Sequence, residues 1–568
     1  MKSAATERRG PDFDRQDAFL ALLLFALAFG VRFHFRSAGL FHLDAVLDAV
    51  AAESALKDGR LHYLQGLGYP GESLLMTLTY AAFRLFGATS AGPAVIFASV
   101  LFGALGVPML YLLARRLFDS RRTATYAAAL LAFLPVHLSL STFGKGHGME
   151  LFFLLLSAYL AVLAGERQTS ATKLAAGVTL GFAMAIRHTS ALILPAYLLL
   201  FWWASRPASR ERWKGGREFL PERSRAGMVR DAALLVVPAF AVFLLSFLPR
   251  MFYDHSYSLL DSVRGNIGEA APGLGMLWPL LEKSISWATV SLTPLGWLLA
   301  AAGAIVLWRR DRLLATALLA WFAIFFVFLS DVSILSPRFV IPALAVPVML
   351  AAVAVESIGG PGRFGARQAG AMAVLIGLCA WMMANIYPVL EYRRHHCGPC
   401  DFARAAGRAI EPTAAILATD DGFHDGYYAR RRVLERPMDL ELLQEGKLAA
   451  SLAQIDSLLR AGTAVYVTTL GLGYDLPLPL KFDPTTLVIE SAAEGKVYAH
   501  LRFDAPRKAI YDAETGVRFF EAGLYAIELL DRFRLEPVLQ AENEDWHHSC
   551  VENVLYTSTL YRIRRRGG

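Results

Sequence analysis

The sequence predicts a polytopic α-helical membrane protein, with about eleven transmembrane helices over residues 1–390 and a soluble extracytoplasmic α/β domain over residues 391–568. Three observations lead there. Of the 568 residues, 55% are hydrophobic and only 18% charged, with a mean hydropathy of +0.41, too apolar for an ordinary soluble chain of this size. The apolar residues gather in runs of about 17 to 22, the length that crosses roughly 30 Å of hydrocarbon. These runs stop near Ile386, and after Glu391 charges recur every few residues, as in a globular domain.

The runs place spans at 17–33, 93–114, 123–141, 149–164, 174–187, 190–204, 232–249, 288–308, 313–330, 339–357 and 369–388. Lipid cannot satisfy an open backbone, so each is read as a helix. With a cytoplasmic N-terminus, Arg8 and Arg9, the cluster Arg115, Arg116, Arg121 and Arg122, then Arg167 and Lys173, the Arg-rich loop 205–231, Arg309, Arg310 and Arg312, and Arg363 and Arg367 all fall inside. The positive-inside rule then holds at every cytoplasmic loop and indicates a plasma (inner) membrane protein. The net charge of +7 is therefore a topology signal and not a nucleic-acid surface, for the excess sits in short loops between apolar runs. No signal-peptide cleavage pattern precedes the first run, which is expected to stay as a helix.

The same assignment places outside a first loop (34–92), a short loop at 142–148, a loop from Arg250 to Trp287, turns near 188 and 335, and the C-terminal domain. The apolar stretch 73–87 is too short to span without inverting every later loop, and reads as an interfacial helix. Beyond residue 391, β-like runs at 414–418, 464–469, 486–490, 497–503 and 555–563 alternate with a helical stretch at 440–460.

Ionisable residues at the outer ends of spans are the places to seek chemistry, because such groups are costly at a membrane. Asp44 and Asp48 lie four apart after the first span and share one helix face. The plainer reading is an amphipathic helix with Leu43, Val46, Leu47 and Val50 buried and both acids in water. Glu150 opens the fourth span, where a carboxylate also simply suits the helix N-terminus. Arg338, before Pro342 and Pro347, either grips a phosphate or snorkels. Arg187 and His188 interrupt two apolar half-spans, either as part of a site or as a tight turn.

Together these motifs resemble the GT-C superfamily of membrane glycosyltransferases, in the branch of protein O-mannosyltransferases and lipid A aminoarabinose transferases. The branch carries an acidic pair after its first helix, often Asp-Glu; Asp44 followed by Ala45 keeps only the first acid, with Asp48 next. The run Leu110 to Arg122 resembles the end of the family's second helix, and Glu150 falls where a second acid opens the fourth. Gly181 to Thr189 resembles a segment that usually bears Lys, with Arg187 in its place, and Arg338-Phe339 resembles the family's Arg-Tyr. The resemblance covers roughly residues 15–360.

It implies inverting transfer of a hexose or pentose from a polyprenyl-phosphate donor to a hydroxyl of a lipid, glycan or protein acceptor outside the membrane. Asp44 would be the general base and Glu150 the second catalytic acid, which with His42 would orient Asp44; Arg338, helped by Arg187 or Lys145, would stabilise the departing phosphate, with Asp48 beside them. With one acid of the pair missing, a divalent metal stays open as a cofactor. The rival class is a transporter or flippase of lipid-linked saccharides, whose charges would lie near the bilayer midplane and whose halves would look alike. No internal repeat is found.

The tail adds Cys397 and Cys400 after the last span and Cys550 near the end. They are compatible with a disulfide in an oxidising compartment, either between Cys397 and Cys400 or from one of them to Cys550, with a metal site, or with a redox pair.

Overall fold

A computed structural model describes residues 13–58, 69–206, 225–253, 274–331, 341–360, 365–418, 423–435, 447–468, 480–483, 488–491, 497–504, 509–512, 525, 529, 532–545 and 554–566. The described residues form two compact units, one drawn from Met1–Ala38 and Asp48–His395, the other from Gly39–Leu47, His396–His547 and Asn553–Gly568.

The first unit is helical: α1 (Arg15–His34), most of α2 (Leu43–Asp58), α3 (Pro70–Leu85), α4 (Gly92–Phe118), α5 (Arg121–Phe133), α6 (Pro135–Leu140), α7 (His147–Arg167), α8 (Ser170–Ile186), a 3-10 turn (His188–Ile193), α9 (Leu194–Ala204), α10 (Arg225–Tyr253), α11 (Leu274–Arg310), α12 (Arg312–Asp331), α13 (Ile341–Gly359) and α14 (Ala366–His395). Among the described residues, seven stretches are long and apolar enough to cross a membrane, in α1, α4, α7, α10, α11, α13 and the segment that begins with α14. The apolar helices Ser170–Ile186, His188–Ala204 and Arg312–Phe326 are shorter. The stretch 73–87, read from sequence as an interfacial helix, falls in α3, with Leu85 and Phe86 exposed at its end.

The span expected at 123–141 is not one helix. Pro135 lacks an N–H and its ring crowds the carbonyl four residues back, so the helix stops at Leu134, which is extended, and restarts with Pro135 in the first turn of α6. Buried Arg32 of α1 spans the break, its Nη1 donating to the carbonyl of Ala132 at 3.3 Å and its Nη2 to His137 Nδ1 at 2.9 Å. α11 breaks similarly at Thr293, where φ is +66° and the threonine Oγ1 accepts the Gly296 N–H, capping the segment that begins at Pro294.

Helix burial follows position. In α13 every residue from Ile341 to Val355 is buried, whereas α1 exposes Phe19, Leu22, Leu23 and Leu27 along one stripe. α4 and α7 approach closely at Gly103 and Gly148: a Cβ on Gly148 would lie 3.0 Å from the Gly103 Cα. The helix ends assigned to the cytoplasm are laced by charges. Asp17 accepts from Tyr111 at 2.6 Å and Arg121 at 3.0 Å, Arg116 pairs with Glu166 at 2.5 Å, Lys173 pairs with Asp231, and Trp203 donates to Asp311 at 2.6 Å.

The second unit contains α15 (Gly398–Ala409), β1 (Ala415–Ala418), α16 (Phe423–Ala429), β2 (Arg432–Glu435), α17 (Lys447–Arg460), β3 (Val465–Thr468), β4 (Leu480–Asp483), β5 (Val488–Ser491), β6 (Val497–Asp504), β7 (Ala509–Asp512), β8 (Phe533–Asp545) and β9 (Val554–Arg565). One sheet has the order β2-β1-β3-β9-β8, parallel across β2, β1 and β3 and antiparallel beyond; the other is the antiparallel series β4-β5-β6-β7. Side chains alternate across the first sheet. Ala415, Leu417, Val465 and Val467 pack with Leu452 and Ile455 of α17, while Ile416 and Tyr466 pack with Phe402 and Ala406 of α15. The alternating α/β order thus resolves into a sheet covered on both faces. Pro537 lies on the edge strand β8 beside a bulge, where a missing N–H costs no ladder bond.

Candidate active site

In the first unit, acidic residues from three helices meet one guanidinium. α3 starts at Pro70, and Gly71 lets its first turn press against the end of α8: a Cβ there would lie 2.9 Å from the Ile186 amide nitrogen. The next residue, Glu72, is 2% exposed and lies against Gly146, where any side chain would overlap its carboxyl. Burying an ionised carboxylate needs a partner. That partner is Arg187, whose Nη2 lies 3.2 Å from Glu72 Oε2.

Arg187 follows the last residue of α8, where the backbone turns extended and frees its side chain from the helix. Its guanidinium lies 4.0 Å from the centroid of the Tyr69 ring, and Tyr69 in turn contacts His188 at 5.2 Å. Glu150, in the first turn of α7, is held by the 3-10 turn: Oε1 accepts from Thr189 Oγ1 at 3.2 Å and Ser190 Oγ at 3.3 Å, and Oε2 lies 3.6 Å from His147 Nδ1. Asp48 of α2 faces Glu72. Burial together with the Glu72 charge pushes Asp48 well above the usual carboxylate range. Asp48, Glu72 and Glu150 all act on Arg187.

Of the residues expected from sequence, Asp48, Glu150 and Arg187 come together here. Lys145 is buried next to Gly146 in the chain, its backbone N–H and carbonyl both bonded to Ser99 Oγ, at 3.2 and 2.8 Å. Asp44 and His42 fall in the second unit. Asp44 opens α2 with its side chain 20% exposed, and its N–H donates to the buried His42 Nδ1 at 3.1 Å. Arg338 and Cys550 lie outside the described residues. Cys397 and Cys400 form a disulfide. Among the described residues no three His, Cys, Asp or Glu side chains are arranged to hold a metal ion, and the positive charge facing the Asp48–Glu72 pair is that of Arg187. Sequence reasoning missed Glu72 and Tyr69; the signal was the Tyr-Pro-Gly-Glu run just before the apolar helix, a helix start with an acid in its first turn.

Residues 74–215 match the family described as dolichyl-phosphate-mannose-protein mannosyltransferase. No curated protein matches the chain by sequence. Among known structures, the oligosaccharyltransferase AglB of Archaeoglobus fulgidus, in complex with an inhibitory peptide and a dolichol-phosphate, superposes with a TM-score of 0.54 at 14% identity, over 92% of this chain and 80% of that one. An oligosaccharyltransferase of Archaeoglobus fulgidus tethered with an acceptor peptide gives 0.51 at 14% identity, over 91% and 79%. ArnT of Cupriavidus metallidurans bound to undecaprenyl phosphate gives 0.49 at 15% identity, over 82% and 95%. The chain is a multi-pass membrane protein with the fold of the GT-C glycosyltransferases, as its motif order implied.

Proposed function

We propose that the protein transfers a sugar from a polyprenyl-phosphate donor to an acceptor hydroxyl on the extracytoplasmic side of the membrane, with inversion at the anomeric carbon. The observation that carries this reading is the gathering of Asp48, Glu72 and Glu150 around Arg187, at helix ends that the positive-inside rule assigns to the outer surface of a GT-C fold. The archaeal enzyme of this fold that is complexed with a dolichol-phosphate supports a lipid-phosphate donor class.

In the reaction, Asp44 takes the proton of the acceptor hydroxyl as its oxygen attacks the anomeric carbon, and the bond from that carbon to the phosphate oxygen breaks. The bonding electrons leave with the polyprenyl phosphate. Arg187, with Lys145 and Arg338, stabilises that developing charge, and stacking on Tyr69 and pairing with Glu72 hold the Arg187 guanidinium in place. His42 fixes the backbone of Asp44 through the hydrogen bond at its Nδ1, and Glu150 braces the 188–190 turn.

The test is transfer of radiolabelled sugar from a panel of polyprenyl-phosphate sugars by the purified protein in lipid, beside Asp44→Asn. Loss of a general base lowers the rate by about 10²- to 10⁴-fold, with membrane insertion unchanged. A fully active Asp44→Asn removes the base assignment. No transfer by a folded wild type with a broad acceptor extract turns the reading toward a carrier of lipid-linked saccharides.

A further inference from the structure

Resting on the reading of Asp44 as the base, we infer that the C-terminal unit is a positioning device: His424, Tyr428 and the Cys397–Cys400 disulfide grip the segment that carries Asp44 and set where its carboxylate stands.

Residues Gly39–Leu47 group with the C-terminal unit although some 350 residues of chain separate them from it. The grip is concentrated on the backbone of Leu40, four residues before Asp44. The Leu40 N–H donates to the Tyr428 hydroxyl at 2.9 Å, and the Leu40 carbonyl accepts from His424 Nε2 at 2.7 Å. Both partners sit on α16, at positions four apart on one helix face. His424 is buried, which lowers its pKa to about 4 and keeps it neutral near pH 7, with its proton on the nitrogen that donates. Tyr428 is braced from the other side by the Arg404 guanidinium, 4.7 Å from its ring centroid.

The third contact is steric. A Cβ on Gly39 would lie 2.6 Å from Cys400 Sγ and 3.0 Å from Cys397 Sγ, so the disulfide is a wall against which only glycine fits. Past this grip the chain enters α2 through His42, whose carbonyl accepts the N–H groups of Ala45 and Val46 while its Nδ1 accepts that of Asp44. Between Leu40 and Asp44 the chain runs through Phe41 and His42, both buried. A general base must meet its proton within hydrogen-bond reach, and a displacement of about 1 Å costs on the order of 10²-fold in rate. Grip on Leu40 is thereby converted into placement of Asp44. His424 and Tyr428 act through Asp44 and touch no reacting atom.

The experiment uses the full-length protein in detergent or lipid, comparing wild type with Tyr428→Phe, His424→Leu, His424→Gln and the pair Cys397→Ser with Cys400→Ser. Amide hydrogen exchange over residues 39–47 is read first, because it needs no substrate. Tyr428→Phe, His424→Leu and the cysteine pair should exchange at least about 10-fold faster there, with exchange in β1 and β3 unchanged, while His424→Gln, which keeps an N–H toward the Leu40 carbonyl, stays near wild type. With the polyprenyl-phosphate sugar that the wild type uses, the loosened variants should lose about 10- to 100-fold in kcat at an unchanged KM for the donor. Unchanged exchange over 39–47 overturns the clamp. So does faster exchange with wild-type kcat in variants of a protein that Asp44→Asn inactivates, and in that case the base assignment still stands. An active Asp44→Asn removes the base itself, and the positioning role with it.

Discussion

At Asp48, Glu72 and Arg187 two acids face one guanidinium, and charge arithmetic decides their state. One negative charge is neutralised by Arg187 at 3.2 Å; the other is opposed by burial and by the Glu72 charge, which raise the Asp48 pKa. An acid whose folded pKa is raised contributes stability that is present at low pH and lost as pH rises through that pKa, because the unfolded chain has already released its proton. The wild type should therefore lose thermal stability as pH climbs through the raised Asp48 pKa, and Asp48→Asn should remove that slope. Glu72→Gln alone should be mild, since Asp48 then ionises in its place. The double variant strands Arg187 and should cost toward the lower end of about 3–5 kcal/mol, with Glu150 as its remaining acid. Additive single effects in thermal unfolding would contradict a shared charge. Asp48, Glu150 and Arg187 were legible in the sequence because an ionisable group beside an apolar run stands out. Glu72 was not, because after Pro70 and Gly71 it reads as the solvated first turn of a surface helix, and only the packing of Gly71 on Ile186 buries it.

Among the elements, hydropathy marked the helices well and their internal breaks poorly. The run 123–141 is apolar throughout, so it read as one span, yet Pro135 divides it. The remedy for the divided backbone comes from another helix: Arg32, about a hundred residues earlier, caps the Ala132 carbonyl. No local pattern announces that pairing, and Arg32 alone reads as an interfacial snorkel. Loss of this cap in Arg32→Met should cost about 1–3 kcal/mol for a buried carbonyl left without a donor. Adding Pro135→Ala returns an N–H to the break and lets the helix close, so the double variant should regain part of the loss in thermal unfolding. A double variant less stable than Arg32→Met would mean that Arg32 serves packing and not the break. The C-terminal sheet divides the same way. β1, β3, β5, β6 and β9 were visible as β-like runs, whereas the order β2-β1-β3-β9-β8 joins strands far apart in sequence, which periodicity cannot encode.

At the scale of the whole molecule, sidedness follows from parity. If each expected span crosses, α4, the broken α5–α6 and α7 make an odd number of crossings between Thr89 and Ser170, and α8, the 188–204 segment, α10, α11, α12, α13 and α14 again make an odd number between Ser170 and Arg460. Thr89 and Arg460 should thus share one face of the membrane and Ser170 the other, and on the proposed topology the positive-inside rule puts the Ser170 face in the cytoplasm. All three side chains are on exposed positions, and the Cys397–Cys400 disulfide does not react with maleimides. With Cys379 and Cys550 replaced by serine, a membrane-impermeant maleimide added to intact cells should label Thr89→Cys and Arg460→Cys at once, and Ser170→Cys only after permeabilisation. Labelling of Ser170→Cys alone would invert the whole bundle and place the acidic cluster on the cytoplasmic side. Labelling of Thr89→Cys and Ser170→Cys together would mean that the divided α5–α6 segment does not cross. Labelling of Thr89→Cys without Arg460→Cys would put the C-terminal unit in the cytoplasm while the first loop, with Asp44, stays outside, and would contradict the grouping of Gly39–Leu47 with that unit. That last outcome would leave Asp44 outside without the unit proposed to grip it, so this labelling pattern tests the clamp as directly as it tests the proposed sidedness of transfer.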